Sequence, residues 1–393
     1  MRLNNSAPAV LLALVLLAPM AAAQSAAPEP PDQVLLRAVA RSAEALLALE
    51  ETEGSGEWSY EGAMRIQGQI PIGYRVGGTG TVLSAFARLP GVARAPELRA
   101  AAERATDFLV DILDEREMSE DIVPGYDMRL WGFINGLGGL LDVRDAGLVP
   151  AERKEAVDKA IRTYLRRLVA QEIPHSGGWS YHRPTGRHLP APPYSYVTAD
   201  VLVLLYEARR QGFELDAAGV ERALDLLERQ RQPAGPFLYK GEKAIGPAPT
   251  IPGSVGRMAG CETALFLAGR SSQLHLRGAL DSFLAHWHLL EELRGRRGLH
   301  TPPHMLAPYY FMYAHLHAAR AVELLPEVHR GEYRARLREL LFELRDEKGL
   351  WNDRVFLRAA GYGTAAGLLA LLQPMLPPLA TWAPDAPADD AGE

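Results

Sequence analysis

The chain has 393 residues, 48% hydrophobic and 23% charged, with 36 glycines, 29 prolines and one cysteine. This make-up excludes a disordered chain, a collagen and a disulfide scaffold. The formal charge of −6, without a long basic run, argues against a nucleic-acid partner, and Cys261 alone builds neither an intrachain disulfide nor a Cys-rich zinc site.

The first segment reads as an address. Arg2 precedes an apolar stretch, Val10 to Leu17, too short to span a bilayer, and Ala21-Ala22-Ala23 stands before Gln24. That is the pattern of a signal peptide, residues 1–23, cut after Ala23. A periplasmic or secreted protein is expected, with no stable membrane span after cleavage. Residues 24–31 read as a linker, 32–374 as the folded domain, and 375–393, rich in Pro, Ala and Asp, as a disordered tail.

Two kinds of helical pattern then alternate. Charged amphipathic segments recur at roughly 33–49, 95–114, 151–171, 215–231, 273–294 and 328–346, the signature of surface helices. Between them, 78–89, 131–143, 196–209, 258–269, 307–324 and 361–373 are apolar on nearly all sides, as helices buried all round are. Six pairs at a period of about 55 residues imply a closed or stacked helical array. Several charged segments run into a Gly-x-aromatic turn: Gly56-Glu57-Trp58, Gly177-Gly178-Trp179, Gly235-Pro236-Phe237 and Gly349-Leu350-Trp351, with Gly298-Leu299-His300 as a variant. A large ring after a glycine turn can plug the gap between adjacent hairpins.

Arg345-x3-Gly349-x-Trp351 and Arg294-x3-Gly298-x-His300 resemble degenerate forms of the Gln-x3-Gly-x-Trp repeat of squalene cyclases. Thr198-Ala199-Asp200-Val201-Leu202 and Thr364-Ala365-Ala366-Gly367-Leu368 resemble inner-helix starts of the prenyltransferase and squalene oxidase repeat family. The resemblance covers roughly residues 32–373 and implies an all-α, (α/α)6 toroid of six inner and six outer helices. It says little about activity, because the fold also serves glycan-cleaving enzymes and thioester proteins.

The long connections, 54–76, 115–128, 172–195, 232–256, 295–304 and 347–357, all precede inner helices, so a cavity mouth is expected at that end. The 172–195 loop, carrying His175, Trp179, Tyr181, His182, Arg183, Arg187 and His188, reads as its lid. Laid over one another, the inner-helix starts show a register: Arg75, Arg129, Arg257 and Arg358, then Gly78, Gly132, Gly260 and Gly361, then Thr81, Asn135, Thr263 and Thr364, with Thr198 in the third repeat. Cations at a helix N-terminus cost about 0.3–1 kcal/mol each, so something else favours them. Either the arginines grip an anionic ligand, or each pairs with a loop carboxylate such as Asp127, Asp353 or Glu242 and the glycines are packing positions.

The chemical motifs of the resembling proteins are missing. No Asp-x-Asp-Asp occurs, and the nearest approach to Asp-Asp-x-x-Asp is Asp389-Asp390-Ala391-Gly392-Glu393. Prenyltransferase zinc would need Asp-x-Cys, but Ala259 stands where that Asp belongs, leaving Cys261, Glu262 and His304 as weak ligands. Gly260-Cys261-Glu262-Thr263 lacks the thioester sequence. No cofactor is expected.

Residues suited to acid–base work collect near the mouth, with His304, Tyr310 and Asp353 as catalytic candidates; Asp353 could instead cap the sixth inner helix and pair with Arg354. Tyr309, Tyr362 and Trp179 join the arginines and Thr81, Thr198 and Thr263 as candidate ligand contacts. His315 and His317, two apart on a helix, face different ways. The reading is an exported monomeric toroid that binds an anionic amphiphile or a carbohydrate at the inner-helix N-termini. The alternatives are a polysaccharide lyase or hydrolase using the His300 to Tyr310 segment, and a scaffold for protein interaction, which would have a plugged cavity.

Overall fold

A computed structural model describes residues 31–119, 127–181, 191–244 and 248–382. Residues 1–30, 120–126, 182–190, 245–247 and 383–393 lie outside that set. They include the expected leader, most of the linker, His182, Arg183, Arg187 and His188 of the expected lid, and the Asp389 to Glu393 sequence.

Twelve α-helices are present among the described residues: α1 (Pro31–Leu47), α2 (Ile72–Arg88), α3 (Pro96–Asp111), α4 (Arg129–Asp145), α5 (Lys154–Val169), α6 (Ser195–Arg210), α7 (Ala217–Gln230), α8 (Ile251–Leu267), α9 (Gln273–Arg294), α10 (Phe311–Val322), α11 (Glu327–Leu344) and α12 (Ala359–Leu372). The even-numbered helices form the inner ring: each packs on the next, and α12 returns to α2. The odd-numbered helices pack outside. The protein is thus an all-α toroid. Among the described residues no helix is long and apolar enough to cross a membrane.

Composition explains the layering. In α3 the buried side chains, Leu98, Ala101, Ala102, Ala105 and Leu109, recur at spacings of three and four, so one stripe faces inward. In α12 every residue is buried. Prolines open α1 and α3, where a missing N–H costs nothing. Asp216 caps α7 by accepting from the Ala218 amide at 3.0 Å, and Ser272 caps α9. Two inner helices begin earlier than the apolar pattern predicts: α2 starts at Ile72 and α8 at Ile251. Arg75 and Arg257 therefore lie in their helices' second turns.

The Gly-x-aromatic turns are the mortar of the ring. The amide N–H of Trp58, Trp179, Phe237 and Trp351 donates to Thr79, Thr198, Ser254 and Thr364 respectively, all on the following inner helix. The indole N–H groups of Trp58, Trp179 and Trp351 donate back to Leu46, Leu168 and Leu341 carbonyls on the preceding outer helices. Each fully buried ring thus locks one hairpin to the next. Trp179 and Thr198, expected as ligand contacts, are parts of this lock.

Helices α2 and α4 approach closely because Gly80 lies against the Asn135 backbone, where a Cβ would overlap the carbonyl. Gly80→Ala is expected to force the helices apart and destabilise by about 1–3 kcal/mol, the usual cost of overpacking; urea unfolding would measure it.

Residues 376–382 correct the expectation of a tail that is disordered from 375 onward. Trp382 stacks on Tyr206 with centroids 5.7 Å apart, lies 4.4 Å beneath the Arg209 guanidinium carbon, and donates its indole N–H to Glu221 at 2.7 Å. Its amide donates to the Leu267 carbonyl. The segment crosses the end of the toroid where the inner helices finish.

Candidate functional site

The axis of the toroid holds two chambers. The first, about 110 Å3, lies at the inner-helix N-termini and is walled by aromatic rings. Tyr60, Tyr74, Trp131 and Tyr362 form one wall, with Tyr60 5.2 Å from Trp131 and 5.3 Å from Tyr362 between centroids. Tyr181, Tyr196, Tyr309, Tyr310 and Tyr313 form the other, Tyr196 lying 5.3 Å from Tyr310 and 5.9 Å from Tyr313. Met64 and Leu299, both exposed, roof it.

Each wall carries a carboxyl group. Asp353 is fully buried; it accepts the Tyr60 hydroxyl at 3.1 Å and the Met312 amide at 2.9 Å. Burial pushes its carboxyl up to about 7, because a charge costs more away from water than those two donors return. It neither caps α12 nor pairs with Arg354, which turns to the Arg297 and Gly298 carbonyls. Asp200 accepts from Tyr313 at 2.9 Å and faces His317 Nε2 at 3.1 Å. Burial lowers the His317 imidazole below its ordinary range, so the neutral ring donates its Nε2–H to Asp200. His315 faces the other way, toward Trp287.

Five of the tyrosines are held neutral by burial. Burial raises Tyr60, Tyr196, Tyr309, Tyr313 and Tyr362 well above the ordinary phenol range. A short relay leads outward from Tyr309. His300 Nδ1 lies 2.7 Å from the Met305 carbonyl, which can only accept, so Nδ1 carries the proton. His300 Nε2, 3.2 Å away, then accepts from the Tyr309 hydroxyl, whose oxygen accepts from Tyr239 at 2.9 Å. Burial holds His300 below the usual imidazole range, leaving Nε2 a free base.

The second chamber, about 170 Å3, lies toward the inner-helix C-termini and is crossed by Leu376 to Ala380. Trp131, Ile134, Asp200, Tyr313 and Tyr362 line both chambers.

Several expected contacts are placed elsewhere. Arg75, Arg129 and Arg358 line one cavity of about 610 Å3 at this end, and each is paired with an acid, Asp127 among them, as the second reading of the register expects. Arg75 makes a bidentate pair with Glu57 at 2.8 Å, Arg129 pairs with Asp127 at 2.7 Å, and Arg358 reaches Glu51 at 2.6 Å. Arg257 is buried and donates to the Phe237 and Gly253 carbonyls. Among the described residues no ring of free cations surrounds the mouth, because loop carboxylates and carbonyls have taken these four guanidinium groups.

His304 lines neither chamber, and Tyr310 contributes a buried ring with no hydrogen-bond partner for its hydroxyl among the described residues. The Tyr–His relay in that segment is Tyr309 with His300. Cys261 is buried, and Glu262 is held by Arg231 at 3.0 Å and by Ser271, so the weak zinc candidates are not assembled. Among the described residues no three His, Cys, Asp or Glu side chains converge. Thr263 is buried and lines neither chamber, whereas Thr81 lines the second and donates to the Gly77 carbonyl.

Asp200, Tyr60 and Tyr196 are not marked for this site by the sequence reading, whereas His317 is the one of the His315 and His317 pair that faces the axis. A signal existed: Tyr196 and Asp200, or Tyr313, His317 and Arg320, recur at spacings of three and four on helices otherwise buried and apolar, which marks the axial face.

No family model and no curated protein matches the chain. Solved structures do. The type II terpene cyclase MstE from Scytonema is similar at 16% identity and a TM-score of 0.52, over 88% of this chain and 100% of that one. A GH76 α-mannanase from Bacteroides thetaiotaomicron aligns at 11% identity and 0.58, over 87% and 96%. An inactive variant of the GH76 α-1,6-mannanase of Salegentibacter, in complex with α-1,6-mannotetrose, aligns at 12% and 0.53, over 86% and 99%. The chain has the α/α-toroid fold of these proteins.

Proposed function

We propose that the toroid binds an alkene-bearing, isoprenoid-like amphiphile along its axis and that Asp353 protonates it. The observation that carries this reading is the Asp353 carboxyl, held near neutrality between tyrosine rings. A group that keeps its proton to about pH 7 is a usable general acid. The faces of neutral tyrosines stabilise a cation, beside the carboxylate that Asp353 becomes on giving up its proton. In the step proposed, the Asp353 O–H bond breaks, the alkene π pair forms a C–H bond, and a carbocation results. The cation then loses a C–H proton to the Tyr309 oxygen as Tyr309 passes its own to His300 Nε2. Exchange with solvent takes the proton from His300 and returns one to Asp353, so the net change is isomerisation or ring closure, with no oxidant or reductant. MstE has been solved with geranylgeranyl dihydroxybenzoate as its substrate, which agrees with a toroid axis of this kind.

Incubation with polyprenyl acids and alcohols in D2O tests it. Deuterium should appear on carbon in the parent and not in Asp353→Asn. Binding without deuterium would make the protein a carrier; binding of manno-oligosaccharides alone would favour the glycan reading. The hollow axis weighs against a scaffold with a plugged cavity. The same proposal includes export: residues 1–30 fused to a reporter should direct it out of the cytoplasm, with Gln24 as the new N-terminus, and retention inside the cell would refute this. The protein is proposed to act as a monomer, which light scattering of the purified chain would check.

A further inference from the structure

The second chamber contains a cation without a counterpart. Arg320 lines it from α10, and among the described residues its side chain makes neither a hydrogen bond nor an ion pair; its Nε is buried without a partner. This is the opposite of Arg75, Arg129, Arg257 and Arg358. The acids around it are already engaged. Asp142 accepts from Arg88 at 2.6 Å, Glu207 is bound by Arg210 and Gln211, and Asp200 is held by Tyr313 and His317. Ser84, on the same wall, has no hydrogen-bond partner among the described residues either. The fully buried unpartnered atoms of the chamber are thus the Arg320 Nε, a charged donor, and the His317 Nδ1, an acceptor, and the only unpaired charge-bearing side chain among the described lining residues is Arg320.

We infer that Arg320 holds the carboxylate of the amphiphile, at the opposite end of the axis from the inner-helix N-termini. This rests on the reading that an isoprenoid-like chain occupies the tyrosine chamber, and it fixes the ligand's direction. The chain lies among the tyrosines and the head stays near the end where Arg210, 40% exposed, reaches solvent. A planar guanidinium fork matches a carboxylate in two parallel hydrogen bonds. The length is set by the helix. Arg320 follows Met312, whose amide holds Asp353, by eight residues, or about 12 Å at 1.5 Å per residue. A ligand that touches both must span that distance.

Farnesoic acid and farnesol, titrated into the full chain with Trp131 fluorescence or heat as readout, separate head from tail. The acid should bind the parent at least about tenfold more tightly, equivalent to about 1.4 kcal/mol. Arg320→Gln should erase that preference while leaving farnesol affinity unchanged, and Arg320→Lys should restore part of it. Unchanged melting of the Gln variant would show that the fold is intact, as expected for a side chain with no partners to lose. Equal binding of acid and alcohol by the parent, or no effect of Arg320→Gln on the acid, overturns the carboxylate assignment and leaves the tyrosine-chamber reading standing. Binding of neither probe overturns both.

Discussion

Asp353→Asn is expected to stabilise the protein in alkaline solution and to abolish protonation of the ligand. In the folded chain burial pushes this carboxyl to about 7, against an ordinary value of 3.8. The native state therefore holds a proton that the unfolded chain releases, and stability falls as pH rises between those values. Below both, the two states are equally protonated and the penalty vanishes. Above pH 7 the charged carboxylate is fully buried, and three units at 1.36 kcal/mol each set a ceiling of about 4 kcal/mol. The Asn side chain keeps an oxygen for the Met312 amide and carries no charge. Urea unfolding at pH 4, 6 and 8 should show the variant gaining on the parent as pH rises. Deuterium transfer by the parent should fade above pH 7, where the acid is spent, and should be missing from the variant at every pH. A stability difference that ignores pH would mean that Asp353 is charged throughout and is no acid.

The toroid was legible because its pattern repeats. Six helices that are apolar all round, alternating with six that have a single apolar stripe, can bury themselves only as an inner and an outer ring. The hollow end was legible from loop length. Much less of the site was. Tyr309 and Tyr362 were legible, but Tyr60, Tyr196 and Tyr313 come from different repeats, and each taken singly looks like core filling; the chamber exists only once the ring closes. The arginine register left two readings open for the same reason. Glu57 lies 18 residues from Arg75, and Glu51 lies 307 from Arg358, joining the first hairpin to the last. The long-range partner that turns a cation from ligand grip to strut is set by closure, which periodicity does not encode. Trp382 shows the converse: in a Pro- and Ala-rich tail nothing announces a ring that docks on Tyr206.

The register also contains the largest stability effect expected here. Arg129 and Asp127 are both buried, with side chains 3% and 2% exposed, and two of the guanidinium nitrogens reach Asp127 while a third reaches the Glu117 and Ser119 carbonyls. Asp127→Ala removes the carboxylate that two of its nitrogens share in low dielectric, and removing one partner of a buried pair costs about 3–5 kcal/mol. Glu51→Ala removes the nearer of two acids beside Arg358, whose side chain is 40% exposed and which also lies 3.8 Å from Glu61, so water and Glu61 replace the lost contact and the loss should stay below about 1 kcal/mol. Arginines at the same repeat position thus have carboxylate partners that differ severalfold in worth, chiefly through burial. Chemical denaturation of the two variants at pH 7 measures both. Equal, small losses would mean that Asp127 is not what holds Arg129, and the arginines would again be candidates for gripping a ligand.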